Sequence, residues 1–247
     1  MFDVSGLTDI PDGKALNELE RKELILLQRG LGASCYDAGA VDGLIGRRTR
    51  TAYADLIDDL GLADVDVVHL SACSHLDARA TLLREILKRP ASTSKETKER
   101  IREACVFAGL GMPEQIAYAL ATADHETNHT FKPVREAYWV SNAEAWRKVN
   151  LSYWPYYGRG YVQLTHDYNY KLYSGIIGLD LLADPDAGLR HDVSLFVLVQ
   201  GMKIGGFTRK PLEKYVSPGH VDFFNARRVI NGLDKAQQIA DLAQTYV

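Results

Sequence analysis

Cysteine is scarce and unpatterned in this chain: Cys35, Cys73 and Cys105 are odd in number, far apart, and lack CxxC or CxxH spacing. That excludes a disulfide framework and a cysteine zinc site, and it predicts synthesis in a reducing cytoplasm. Residues 1–13 carry Asp3, Asp9 and Asp12 but no basic segment and no apolar segment, so no secretory signal is expected. No apolar run approaches the roughly 20 residues of a membrane span, and no membrane insertion is expected. Charge of one sign is missing as well. The 29 Lys and Arg against 32 Asp and Glu leave a net charge of -3 without a basic stripe, which argues against nucleic acid as a partner. Nothing suggests disorder in a chain that is 46% hydrophobic and 25% charged, and a monomer is the expected state.

What is present is mostly helical periodicity. Residues 14–30 space Leu16, Leu19, Leu24, Leu26 and Leu27 as one amphipathic helix, which Gly30 and Gly32 are expected to stop. A Gly/Asp-rich turn follows at 37–46, and residues 47–60 return to helical spacing through Tyr53, Leu56 and Ile57. A third helix is expected over about 76–87, before Pro90. The polar stretch 90–95, PASTSK, reads as a boundary between a domain at 1–90 and a second at 91–247. Beyond it, 96–108 and 113–124 predict helices, the second with Pro113 in its first turn. Residues 192–204 are so apolar that they fit a buried helix or a strand, and 235–246 predict a last helix. The expected fold class is mainly α.

The turn VDGLIG at 41–46, with Leu27-Gln28 before it and Thr49 and Ala52 after it, resembles the small three-helix peptidoglycan-binding domains over residues 14–60. Glycine permits backbone geometry that a side chain blocks, and aspartate can hold a turn through its own backbone. The resemblance implies Asp42 and Gly43 as cell-wall-binding residues. A plain helical-hairpin connection fits the same spacing.

Two chemistries compete at His125-Glu126-Thr127-Asn128-His129. As HExxH on an intact helix, both imidazoles would face a Zn²⁺ with Glu126 as base, the arrangement of a peptidase that would cut stem peptides. Phe131-Lys132-Pro133 should break that helix, Arg135 stands where a third histidine would fall, and Glu144 is the remaining candidate ligand. The other chemistry pairs Glu126 with Glu136. Ten residues of unbroken helix would hold their Cα atoms about 15 Å apart. A helix that ends near Thr130 and turns back at Pro133 would bring them toward the roughly 6.5–9.5 Å that admits an attacking water. His129 reads as a hydrogen-bonded structural histidine, and Trp139 and Trp146, seven apart, read as core.

The segment 154–170, WPYYGRGYVQLTHDYNY, mixes aromatic faces, glycines and hydrogen-bonding side chains as a carbohydrate groove does. The same residues could instead form core, with Thr165 as an ordinary helix cap. With the HET at 125–127, Asp184-Pro185 and Asn231-Gly232, this segment closely resembles glycoside hydrolase family 19, the chitinase fold, over about 115–240. The resemblance implies Glu126 as general acid, Glu136 as base and Thr165 as the residue that positions water. It implies Gln163, Asn169 and Asn231 as sugar ligands and Tyr157 and Arg159 as residues that shape the site, in an inverting mechanism without metal or other cofactor. The ten-residue spacing between the carboxylates is shorter than in plant-type chitinases and looks like the phage and bacterial lysozyme-like branch.

Together the two resemblances imply a modular phage endolysin. Its substrate would be the β-1,4 bond between N-acetylmuramic acid and N-acetylglucosamine of bacterial peptidoglycan. It would accumulate in the host cytoplasm and act once the membrane is permeabilised. A chitinase, a zinc peptidase and an inactive glycan binder are the rival expectations.

Overall fold

The computed structural model describes residues 1–247. The chain is mainly helical, with ten α-helices and two short antiparallel strand pairs, and no helix is long and apolar enough to cross a membrane. It divides into two compact units, Met1–Glu85 with Lys171–Asp180, and Ile86–Tyr170 with Leu181–Val247.

The first unit is built on α1 (Arg21–Ala33), α2 (Arg47–Asp59) and α3 (Leu70–Leu87). Glu20 and Glu23 form a reciprocal cap at the start of α1, where the Glu20 amide donates to the Glu23 carboxylate at 2.6 Å. Leu24, Leu27 and Leu31 recur on one face of α1 and are buried with Tyr53, Leu56 and Ile57 of α2 and Leu76, Ala80 and Leu83 of α3. Gly30 and Gly32 do not stop α1. A Cβ on Gly30 would lie 3.3 Å from Leu76, and one on Gly32 would lie 3.0 Å from Ile176, so these glycines serve close packing rather than termination. Residues 171–180 close the unit: the Phe2 amide donates to the Ile177 carbonyl at 2.7 Å, and Tyr173 is fully buried.

The 41–46 turn is organised by Gln28, whose side chain is buried. Its amide nitrogen donates to the Asp42 carboxylate, the Leu44 carbonyl and the Thr49 hydroxyl, while its oxygen accepts the Asp42 and Gly43 amides. The Asp42 carboxylate also accepts the Leu44 amide at 2.9 Å, and Gly43 adopts φ 72° over the Arg21 carbonyl. The LQ…DGxxGxxT pattern is therefore one hydrogen-bond network, and it engages both Asp42 and Gly43.

In the second unit α4 (Ser94–Phe107) starts at the Thr93–Glu96 capping box, inside the polar stretch expected to be a seam. The central helix is α5 (Pro113–Glu126), where Ala117, Tyr118, Ala119, Leu120, Ala121 and Ala123 are all fully buried. Apolarity on every side marks a helix enclosed by neighbours. Those neighbours are α4, α8 (His191–Ile204) and α10 (Ala236–Gln244). The apolar run at 192–204 is thus a helix rather than a strand. Strands β1 (Val134–Arg135) and β2 (Arg159–Gly160) pair antiparallel, Val134 opposite Gly160. Helices α6 (Ala143–Asn150) and α7 (Asp167–Ile177) flank β2 in sequence, and β3 (Val216–Ser217), β4 (His220–Val221) and α9 (Phe223–Ala226) precede α10.

Candidate active site

Glu126 is the last residue of α5. Thr127 ends the helix: its buried hydroxyl donates to the Ala123 carbonyl at 2.7 Å and accepts the Phe131 amide at 2.9 Å. Asn128, His129 and Phe131 then take left-handed backbone angles, with φ of 49°, 65° and 53°. The helix therefore stops at Glu126 rather than near Thr130, and His129 does not share a helical face with His125. His129 Nδ1 instead meets the Asp124 carboxylate at 3.2 Å. The HExxH segment lacks the helical geometry that would aim both imidazoles at one metal ion. Burial holds the His125 imidazole below its usual pKa.

The chain returns through Pro133 into β1, and the β1–β2 pairing carries Glu136 to Gly158. The Glu136 amide donates to the Gly158 carbonyl at 2.7 Å, and the Gly158 amide donates to Glu136 Oε2 at 2.8 Å. Tyr153 donates its hydroxyl to Glu136 Oε1 at 2.8 Å. Burial, with the Glu136 hydrogen bond second, pushes the Tyr153 phenol up to about 12, so it stays a donor at any working pH. Arg147, itself buried, donates to the Glu136 carbonyl at 2.6 Å. A Cβ at Gly158 would lie 2.6 Å from Gln163 Oε1 and 3.2 Å from Glu136 Oε2, which is why glycine stands there.

Both carboxylates line one cleft of about 750 Å³. Glu126 is held by Arg227, whose Nη1 meets Oε1 at 2.7 Å while its Nε donates to the Asp234 carbonyl. Glu126 Oε2 makes no hydrogen bond within the protein. Glu126 sits where the α5 carbonyls concentrate negative potential, and the buried Arg227 guanidinium offsets it. The cleft thus holds one carboxylate with a free oxygen and a cationic partner, and a second fixed by two neutral donors.

Thr165, Gln163, Asn169 and Asn231 line the same cleft. Thr165 does not cap α7; its hydroxyl donates to the Gln163 carbonyl at 2.7 Å, which leaves its lone pairs to accept from a water. Gln163, at φ 56°, donates to the Val134 and Gly160 carbonyls. Asn169 donates to the Thr165 carbonyl at 2.8 Å, and Asn231 is exposed on the rim. Tyr157 and Arg159 lie outside this lining, in a neighbouring groove of about 820 Å³. Arg159 is buried, with Nε on Asp186 at 2.8 Å, Nη1 on the Pro155 and Tyr157 carbonyls and the Tyr170 hydroxyl, and its guanidinium 3.7 Å over the Tyr157 ring. The Tyr157 hydroxyl donates to Glu144 at 3.0 Å. Both residues brace the segment that carries Gly158. Glu144 is engaged by Trp154, Tyr157 and Arg147, and the Trp154 hydrogen bond foremost holds its carboxyl below the usual range.

Trp139 is not core: it is 73% exposed, packs edge-on against Tyr138, and lines the cleft. Trp146 is exposed too, at 38%. The next helix, α6, is short and amphipathic, so a seven-residue spacing that begins before it says nothing about a shared buried face. Tyr168, also exposed in the cleft lining, stacks on His166 with the rings 10° from parallel. Arg227 and Tyr153 were not singled out by sequence. Arg227 belongs to an adjacent basic pair beside the Asn231-Gly232 motif, and Tyr153 stands one residue before the aromatic segment, so both signals were local and weak.

Residues 90–199 match the family model described as chitinase class I, glycoside hydrolase family 19. The match contains Glu126, Glu136, Gln163, Thr165 and Asn169 and stops before Arg227 and Asn231. Chitinase 11 of Oryza sativa subsp. japonica is 62% identical over 32 residues, a stretch that covers 13% of this chain and 12% of that protein. The chain therefore spans about an eighth of the length of that curated relative. No solved structure matches. Residues 90–199, less than half of the chain, are thus similar to the domain of glycoside hydrolase family 19.

Proposed function

We propose that this protein is a peptidoglycan hydrolase that cuts the β-1,4 bond between N-acetylmuramic acid and N-acetylglucosamine, and that it serves a phage as an endolysin. The observation that carries the reading is the pair Glu126 and Glu136, brought into one cleft from a helix end and a strand end. Glu126 gives a proton from its free Oε2 to the glycosidic oxygen as the bond to the anomeric carbon breaks. Glu136 takes a proton from a water held against Thr165, and that water attacks the opposite face, so the configuration inverts. Gln163, Asn169 and Asn231 receive the sugar hydroxyls and acetamides, and Trp139 and Tyr168 offer ring faces.

The choice of peptidoglycan is supported by the first unit, whose Gln28-ordered turn carries the pattern of small peptidoglycan-binding domains. Such a unit raises the local concentration of the catalytic cleft on an insoluble polymer. Synthesis in the host cytoplasm followed by access to the wall after membrane permeabilisation completes the proposal. Chitin is the second reading, favoured by the similarity to chitinase 11. Turbidity loss of purified sacculi set against reducing ends released from chitin separates the two: the proposal expects the sacculi to clear, and release from chitin alone overturns it.

A further inference from the structure

One stretch of the cleft wall is made by two segments that are tied together. The Thr208 hydroxyl donates to the Arg228 and Val229 carbonyls at 2.6 and 3.0 Å. Gly205 ends α8 at φ 69°, and a Cβ there would come within 2.6 Å of the Lys210 backbone nitrogen, so the loop is packed tightly beneath Lys210. The Arg209 amide closes the loop on the Gly205 carbonyl at 2.7 Å. Lys210 and Arg228 are thereby held in the lining of the same cleft, both half-buried.

These two are its uncommitted cations. Arg227 is paired with Glu126, and Arg135 with Asp186. The Lys210 ammonium has no hydrogen bond or ion pair within the protein. Arg228 donates Nε to Asn225 at 3.1 Å and has no carboxylate at ion-pair distance; Asp222 feels its charge, but spends its oxygens on Asn225. Two half-enclosed positive charges with no carboxylate at ion-pair distance suit an anionic ligand better than a neutral one. Fully acetylated chitin is uncharged. A peptidoglycan strand carries, on every second sugar, a lactyl ether with a stem peptide that bears carboxylates.

We propose that Lys210 and Arg228 receive the stem-peptide carboxylates of N-acetylmuramic acid, so that the cleft selects peptide-bearing glycan over bare glycan. The inference rests on the peptidoglycan reading and refines it. The test compares kcat/KM of the full chain on glycan strands that keep their stem peptides with the same strands stripped by an amidase and with the lactyl carboxylate so exposed converted to its neutral amide, at low and high ionic strength. Wild-type enzyme favours the peptide-bearing strands by about tenfold at low salt, mostly through KM, and the preference shrinks as salt screens the charges. In the Lys210→Ala, Arg228→Ala double variant the two strands become equivalent, and Lys210→Gln alone gives an intermediate ratio. A double variant with the wild-type preference, or a wild-type preference indifferent to salt, overturns the assignment. Wild-type enzyme that cleaves neither strand yet releases reducing ends from chitin overturns the peptidoglycan reading itself.

Discussion

Glu126 and Glu136 have different partners, and the acid and base roles proposed for them follow from that difference. A cation holds one oxygen of Glu126 and leaves the other free, whereas Tyr153 and the Gly158 amide hold both oxygens of Glu136. Glu126→Gln keeps the shape and a hydrogen bond to Arg227 but removes the proton, so turnover should fall by about 10²–10⁴-fold with the melting temperature unchanged. Arg227→Ala removes the partner of a mostly buried carboxylate, and should cost roughly 3 kcal/mol in denaturant unfolding as well as activity. Tyr153→Phe deletes one donor to Glu136; kcat should drop about tenfold while KM holds. Both carboxylates were legible in sequence from the HET motif and the break at Pro133. Arg227 was not, since it meets Glu126 across 101 positions and only the folded chain pairs them.

At the scale of elements, the site depends on a helix that ends on time and a strand pair two residues long. The end of α5 lies at Glu126 because the Thr127 hydroxyl and the left-handed residues after it turn the chain, a local event that propensity does not mark. Pro133 did signal the reversal. The β1–β2 pairing that seats Glu136 beside Gly158 has no periodicity at such length, so the sequence could not announce it. Gly158→Ala should push Gln163 and Glu136 apart, at about 1–3 kcal/mol in stability and with loss of activity. Recovered stability in a Gly158→Ala, Gln163→Ala double variant would localise the clash to that amide. Gly30 and Gly32 teach the opposite lesson: glycine in a helical pattern here marks the approach of Leu76 and Ile176, not a stop.

For the whole molecule, the first unit takes residues 171–180 from far along the chain, a return that composition and the polar stretch at 90–95 do not reveal. A fragment of residues 1–90 lacks Tyr173 and the Ile177 carbonyl, and its thermal unfolding by circular dichroism should be broader and lower than that of the intact protein. Acid sensitivity follows from three histidines. Burial is the foremost cause that lowers the pKa of His75, His125 and His191 from 6.5. As pH falls through 6.5 the unfolded chain binds protons that the folded chain refuses, so stability declines until the lower folded values are reached. Denaturant midpoints should therefore fall between pH 7.5 and 5.5. The central claim, that this fold cuts a sugar–sugar bond in peptidoglycan, meets its most direct test in mass spectrometry of sacculi digested by the full chain. Muropeptides with new N-acetylmuramic acid reducing ends and intact stem peptides are the expected products; fragments with newly freed amino groups and no new reducing ends would refute the claim.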